Sequence, residues 1–294
     1  MTLSFTPLHS TFVARSSPVD LSTMEDPQAL AQVRDGMDKY GVLVFNNQKF
    51  TGSEQIAFAK RLDGQIHAKT GARALGQNRF GNEALTDISN VAASGDILDE
   101  NDRRRLYGLG NQLWHTDASF ENPRGRYSML MAYVLPPASP NTQFADTRTA
   151  YDRLEPELKQ RLLGLQVHHT IAHSRQTLGF EFSPEEAALL PGAVHPLVLE
   201  LPRTRRRALY LASHAAKIIG WTVPEGRLLI RELEERATQA ELVYSHQWQL
   251  GDLVIWDNRA TMHRGRPFAD RQHRRELRRV TTLDIESPAA AAAA

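Results

Sequence analysis

Leu30, Val33, Met37 and Tyr40 recur at helical spacing behind Asp26-Pro27, so the pattern predicts an amphipathic helix with a capping aspartate and proline at its first position. Gly41 ends that helix. The run Val42-Leu43-Val44-Phe45 that follows is short, apolar and rich in valine, as a buried strand is. Thr51 and Glu54 form a capping box ahead of a second helix through Ile56, Phe58 and Ala59. Between residues 63 and 110 the periodicity lapses and glycines recur, which predicts a long connection, a feature that compact domains usually reserve for function.

From Arg126 the pattern turns to strands, over 127–135, 142–145, 193–201, 208–212, 242–249, 252–256 and 275–284. Helices interrupt them, one opening at the Ser183-Pro184-Glu185-Glu186 capping box. Another opens near Thr222 and Pro224 and runs through Leu229, Leu233 and Ala237, with Glu232 and Arg236 one turn apart. Many antiparallel strands decorated by helices predict a mostly β fold: a double-stranded β-helix, or jelly roll, with flanking and inserted helices and a mouth for ligands. Residues 1–286 read as a single domain, followed by a low-complexity tail at 287–294 that ends in six alanines.

Charge narrows the function classes. Thirty-five Lys and Arg against 34 Asp and Glu give no general attraction to nucleic acid or to an anionic membrane. No apolar run approaches the roughly 20 residues that cross a bilayer, and the N-terminus lacks the basic and apolar regions of a secretion signal. The absence of cysteine removes disulfides and thiolate ligands and suits a reducing compartment, so a cytoplasmic protein is expected, with a homo-oligomer as its assembly. Any metal must be held by His, Asp or Glu.

The candidate chemistry lies in Leu113-Trp114-His115-Thr116-Asp117. A histidine and a carboxylate two positions apart on an extended segment point to one side, where both reach one ion. His263, after the apolar run Leu253-Val254-Ile255-Trp256, supplies a third ligand. Two histidines and one carboxylate leave half of an octahedral ion open, as in non-haem iron oxygenases. His-x-Asp by itself is a weak signal in a chain with 11 histidines. Arg274 and Arg278 share strand parity, so one reading aims an inward arginine at a dicarboxylate; the plainer reading of this basic run is a solvated strand. A second histidine pair, His169 and His173, has the spacing of a helical zinc site, but the β-branched residues around it favour a strand and a structural role.

The segments Asp87-Ile88-Ser89-Asn90-Val91, Asn111 to Asp117, Arg126-Tyr127-Ser128-Met129-Leu130, Gly251 to Arg259 and Arg275-Glu276-Leu277-Arg278-Arg279 carry a resemblance. The chain resembles the Fe(II)/2-oxoglutarate-dependent dioxygenases of the taurine dioxygenase group, over nearly its whole length. The resemblance implies His115, Asp117 and His263 as iron ligands and Thr142 and Arg274 on the distal carboxylate of 2-oxoglutarate. It places Asn111 beside the iron-proximal end of that cosubstrate and Trp256 against the metal site. Arg278, with Lys69 as a second candidate, would meet a small anionic aromatic substrate. It further implies dioxygen as cosubstrate and hydroxylation beside the ether oxygen of aryloxyacetic acids, releasing a phenol and glyoxylate with succinate and CO2. Alternatives are the same chemistry on an alkylsulfonate such as taurine, and a non-catalytic metal-binding jelly-roll module. The chain departs from the group where Ser139-Pro140-Asn141 replaces Gly-Gly-Asp before Thr142, which stiffens that turn.

Overall fold

The structure is a computed structural model that describes residues 2–68, 75 and 79–285. The chain begins with β1 (Phe5–Pro7), β2 (Ala14–Ser16), α1 (Pro27–Tyr40), β3 (Val42–Phe45), α2 (Gly52–Asp63), β4 (Thr86–Ser89) and α3 (Arg103–Gly108). It continues through β5 (Gly125–Val134), β6 (Thr142–Asp146), α4 (Thr147–Asp152), α5 (Pro156–Leu162), β7 (Gln166–His169), α6 (Ile171–Gln176) and α7 (Pro184–Ala188). The remainder comprises β8 (Ala193–Pro196), β9 (Val198–Glu200), β10 (Arg207–Leu209), β11 (Ala215–Ile218), α8 (Val223–Ala237), β12 (Val243–His246), β13 (Leu253–Asp257), β14 (Thr261–Gly265) and β15 (Glu276–Leu283).

Seven strands pair in the order β1-β2-β3-β13-β5-β15-β4, antiparallel except for β2 on β3. Two three-stranded sheets, β12-β6-β14 and β11-β7-β8, and a two-stranded one, β10-β9, complete a mixed α/β architecture among the described residues. The central strands read as unbroken apolar runs because both of their faces are covered. On one face Leu43, Phe45, Met129, Met131, Leu253 and Ile255 pack against Val33 and Met37 of α1 and Phe58 and Leu62 of α2. On the other, Val42, Val44, Leu130, Val254 and Trp256 meet Phe144 of β6 and Trp248. The alternation of side chains along each strand sorts these two sets.

Buried polar side chains fix the helices to this frame. Gln55 of α2 is fully buried and its amide donates to the carbonyls of Met129 (2.9 Å) and Arg278 (3.1 Å) on neighbouring strands. Arg148 caps α1 from outside, donating to Asp38 (3.1 Å) and Tyr40 (3.0 Å) carbonyls while pairing with Asp146 (2.8 Å). Gly41 turns the chain there with φ 72°, and its N–H returns to Met37.

The expected long connection is more structured than its composition suggests, since β4 pairs with β15 and α3 lies ahead of the candidate site. The strand expected over 193–201 divides into β8 and β9, which belong to different sheets. The strand around His169 ends at that residue, and His173 falls on α6, so the pair does not share one element. The tail from 286 onward lies outside the described residues. No helix among the described residues is long and apolar enough to cross a membrane.

Candidate active site

His263 sits on β14, and His115 is its direct cross-strand partner. The His115 N–H donates to the His263 carbonyl (2.9 Å) and the His263 N–H to the His115 carbonyl (2.8 Å), closing a ring that sets both imidazoles on one side. Their ring centroids are 4.1 Å apart. Asp117, two residues along, brings its carboxylate to the same place: Oδ1 is 3.8 Å from His115 Nε2 and Oδ2 is 3.7 Å from His263 Nε2. All three residues are buried, and one donor atom from each lies within 4.8 Å of the others. They form the only such group among the described residues.

The state of each donor suits a cation. His115 Nδ1 donates to the Leu113 carbonyl (2.8 Å), which leaves the lone pair on Nε2 facing the triad. Burial pushes the His115 pKa down to about 4 against the pull of Asp117, and burial likewise holds His263 well below its ordinary value. Both imidazoles are therefore neutral near pH 7. Burial opposes the charge of Asp117, but Arg279 and the two imidazoles keep its pKa below the usual carboxylate range.

Asp117 is held from the sheet behind it. Ser128 Oγ on β5 donates to Oδ2 (2.7 Å), and Arg279 Nη1 on β15 donates to Oδ1. Asn258 Oδ1 accepts from the Asp117 N–H (3.0 Å) and from Trp256 Nε1 (2.9 Å), while its amide donates to Ser128 Oγ (2.9 Å). Ala118 then takes a left-handed conformation, φ 54°, which turns the chain away directly after the carboxylate. Such a conformation costs a non-glycine residue about 1–2 kcal/mol and persists only where surrounding contacts enforce it.

The triad borders a cavity of about 290 Å³. Asn111, Thr142 and Trp256, singled out from the sequence, all line it. Thr142 Oγ1 accepts from Trp248 Nε1 (2.9 Å), which leaves its own hydrogen free for an acceptor in the cavity. The Trp256 ring packs 4.5 Å from that of His263. A more open depression of about 890 Å³ beside Trp221 and Leu228 contains none of the triad.

The arginines require a correction. Arg274 is exposed and does not reach the cavity; Arg275 lines it. Arg278 points to the opposite face of β15, where it pairs with Glu276 (2.6 Å) and lies over the rings of Phe80 (4.6 Å) and Tyr133 (4.1 Å). Arg279 takes the cavity face in its place. The reason is parity: Leu277 packs against Trp256 and Phe144, so 275, 277 and 279 face the cavity while 276, 278 and 280 face the helices. Lys69 lies outside the described residues.

Arg275 has a buried Nε without a hydrogen-bond partner and no carboxylate in ion-pair reach among the described residues. Burial lowers its pKa, because the charge is desolvated with no carboxylate beside it among the described residues. Sequence reasoning also missed Ser128, Asn258, Arg175 and His214. His214 is buried with its ring 6.0 Å from that of His115, and its Nε2 has no partner. Ser128 and Asn258 lie in segments that carry the family resemblance but are not themselves ligand or charged residues, and nothing in the local pattern marks Arg175 or His214.

Residues 4–281 match the model of the taurine catabolism dioxygenase TauD, TfdA family. The chain belongs to this family. Among members of the TauD, TfdA family, it is 42% identical over 280 residues to an alpha-ketoglutarate-dependent 2,4-dichlorophenoxyacetate dioxygenase of Burkholderia sp. (strain RASC), covering 94% of this chain and 93% of that protein. It is 31% identical over 277 residues to an (S)-phenoxypropionate/alpha-ketoglutarate-dioxygenase of Sphingobium herbicidovorans, covering 91% of each. Its fold superposes on the crystal structure of AAD-2 in complex with Mn(II) and N-oxalylglycine with a TM-score of 0.92, at 42% identity, covering 97% of this chain and 99% of that one.

Proposed function

We propose that the chain is an Fe(II)/2-oxoglutarate-dependent dioxygenase that hydroxylates the carbon beside the ether oxygen of aryloxyacetic acids such as 2,4-dichlorophenoxyacetate. The observation that carries this reading is the meeting of His115, Asp117 and His263 beside a cavity into which Arg275, with no carboxylate partner of its own among the described residues, also faces. Two neutral nitrogens and one carboxylate oxygen are the donor set that Fe(II) takes in such enzymes. Iron held there, together with dioxygen and the keto acid, supplies the oxidising power, with succinate and CO2 as the products of the keto acid.

The protein's part is to position and to balance charge. Arg275, rather than Arg274, donates its planar fork to the distal carboxylate of 2-oxoglutarate, and Thr142 adds its free hydrogen. Asn111 lines the metal end of the cosubstrate site. Arg279 meets the carboxylate of the organic substrate, so that the ring extends away from the triad and the carbon beside the ether oxygen comes nearest to it. The hydroxylated product is a hemiacetal, whose collapse to a phenol and glyoxylate requires no protein acid or base. The same reading takes the seven-stranded and the β12-β6-β14 sheets as the halves of a jelly roll within one domain of residues 1–286, supported by the apolar cluster to which both contribute.

Succinate release measured across phenoxyacetates, phenoxypropionates and taurine, with phenol and sulfite assayed in parallel, tests the proposal. Phenol matched mole for mole by succinate is expected with phenoxyacetates, and His115→Ala or His263→Ala should abolish it. Succinate coupled to sulfite instead, or undiminished turnover in either variant, would overturn the reading.

A further inference from the structure

Every carboxylate that borders the cavity already has an arginine. Asp87 pairs with Arg79 (2.7 Å), Asp270 with Arg105 (2.8 Å) and Asp117 with Arg279. Three cavity arginines have no carboxylate among the described residues: Arg266, which is exposed to solvent, Arg275, taken above by the cosubstrate, and the buried Arg175 of α6. Arg175 is 3% exposed. Its Nη1 donates to Ser174 Oγ (3.1 Å), its guanidinium lies over the Tyr107 ring (4.4 Å), and its Nε is buried without a partner.

The surroundings are shaped to hold this cation in place. The guanidinium presses against Gly110 so closely that a Cβ there would lie 2.3 Å from its Cζ. Only glycine lets the two approach in this way. Arg175 lines the same cavity as the triad and Arg279. A buried cation without an anion is costly, and the Ser174 hydroxyl and the Tyr107 ring offset only part of that cost.

We propose that Arg175 is a second cation of the substrate site, sharing the carboxylate of the organic acid with Arg279. The assignment rests on the function proposed above and sharpens it, because Arg279 is already engaged with Asp117 and neutralises that group. Arg175 then supplies the charge that the incoming carboxylate needs. An uncharged aryl ether of the same shape would leave it buried and unpaired, so the pocket discriminates by anion and not only by ring.

The test loads the protein with Mn(II) and N-oxalylglycine and measures the binding of 2,4-dichlorophenoxyacetate by calorimetry, beside steady-state KM and kcat with Fe(II) and 2-oxoglutarate. Arg175→Gln should raise both Kd and KM for the acid by about 10- to 100-fold, the usual worth of a charged hydrogen bond. The KM for 2-oxoglutarate in substrate-free decarboxylation should stay unchanged, and Arg175→Lys should recover part of the loss. Gly110→Ala displaces the guanidinium without removing it, and should weaken binding of the acid in the same sense. Normal affinity in Arg175→Gln, or equal weakening toward 2-oxoglutarate, would overturn the assignment while leaving the function intact. Failure of the unaltered loaded protein to bind any aryloxyacetate would instead sink the function, and this assignment with it.

Discussion

One residue of register separates the arginine that faces the cavity from the one that faces water. Arg275→Ala should raise the 2-oxoglutarate requirement at least about 30-fold, because a buried carboxylate stripped of its partner costs roughly 2–5 kcal/mol. Arg274→Ala, on an exposed side chain, should leave it unchanged, and initial rates against 2-oxoglutarate concentration compare the two. Asn258 acts on Asp117 from behind, tying its N–H to Trp256 and Ser128. Asn258→Ala should lower metal affinity about 10- to 100-fold, as loss of a group that orients a ligand does, with Mn(II) titration followed by electron paramagnetic resonance as the measure. His115, Asp117 and His263 could be singled out because the weak His-x-Asp signal falls within a segment that carries the family resemblance, and the structure brings their donor atoms together. The arginines were not, since Arg274, Arg275, Arg278 and Arg279 offer both parities and only the packing of Leu277 chooses between them.

Elements whose signals are local were the readable ones. Asp26 caps α1 at Gln28, and Thr51 and Glu54 form the expected capping box on α2. Thr51→Ala should destabilise the fold by about 1 kcal/mol, read as a lower urea midpoint with an unaltered slope. Elements held by distant partners were hidden. Strand β4 is four residues of mixed polarity that become a strand because β15 offers an edge. Helix α6 spans only six residues, and its N-cap Thr170 donates its N–H to the His214 carbonyl beyond the next two sheets' strands in sequence. Periodicity needs more length than that to show itself. The strand expected over 193–201 failed for a related reason: the Leu197 N–H goes to the Leu165 carbonyl beside β7 while its own carbonyl accepts from the Tyr210 N–H beside β10, so the chain passes from one sheet to the other at that residue.

At the scale of the molecule, buried histidines make the fold acid-sensitive. His169 is fully buried with neither ring nitrogen hydrogen-bonded, and burial pushes its pKa down to about 3, with His195 nearby lowered to about 4 by the same cause. The unfolded chain binds these protons near pH 6.5 and the folded chain does not, so stability is complete above that pH and declines as pH falls toward 3. Each such histidine contributes a slope of as much as about 1.4 kcal/mol per pH unit in that window. Urea unfolding at pH 7 and pH 5 should therefore show a marked loss, and His169→Phe should reduce the difference by removing one of the titrating groups. An equally steep loss in the variant would assign the sensitivity elsewhere.

The paired backbone bonds between His115 and His263 mean that two donors for one ion also fasten the 113–117 stretch to its neighbouring strand. An ion bound there clasps a seam, so its occupancy should be audible far from any spectroscopic band, in the pace at which those two amides trade hydrogen for deuterium. Addition of Mn(II) should slow that trade and raise the melting temperature together, and a chelator should undo both, since a ligand of the native state stabilises it in proportion to its saturation.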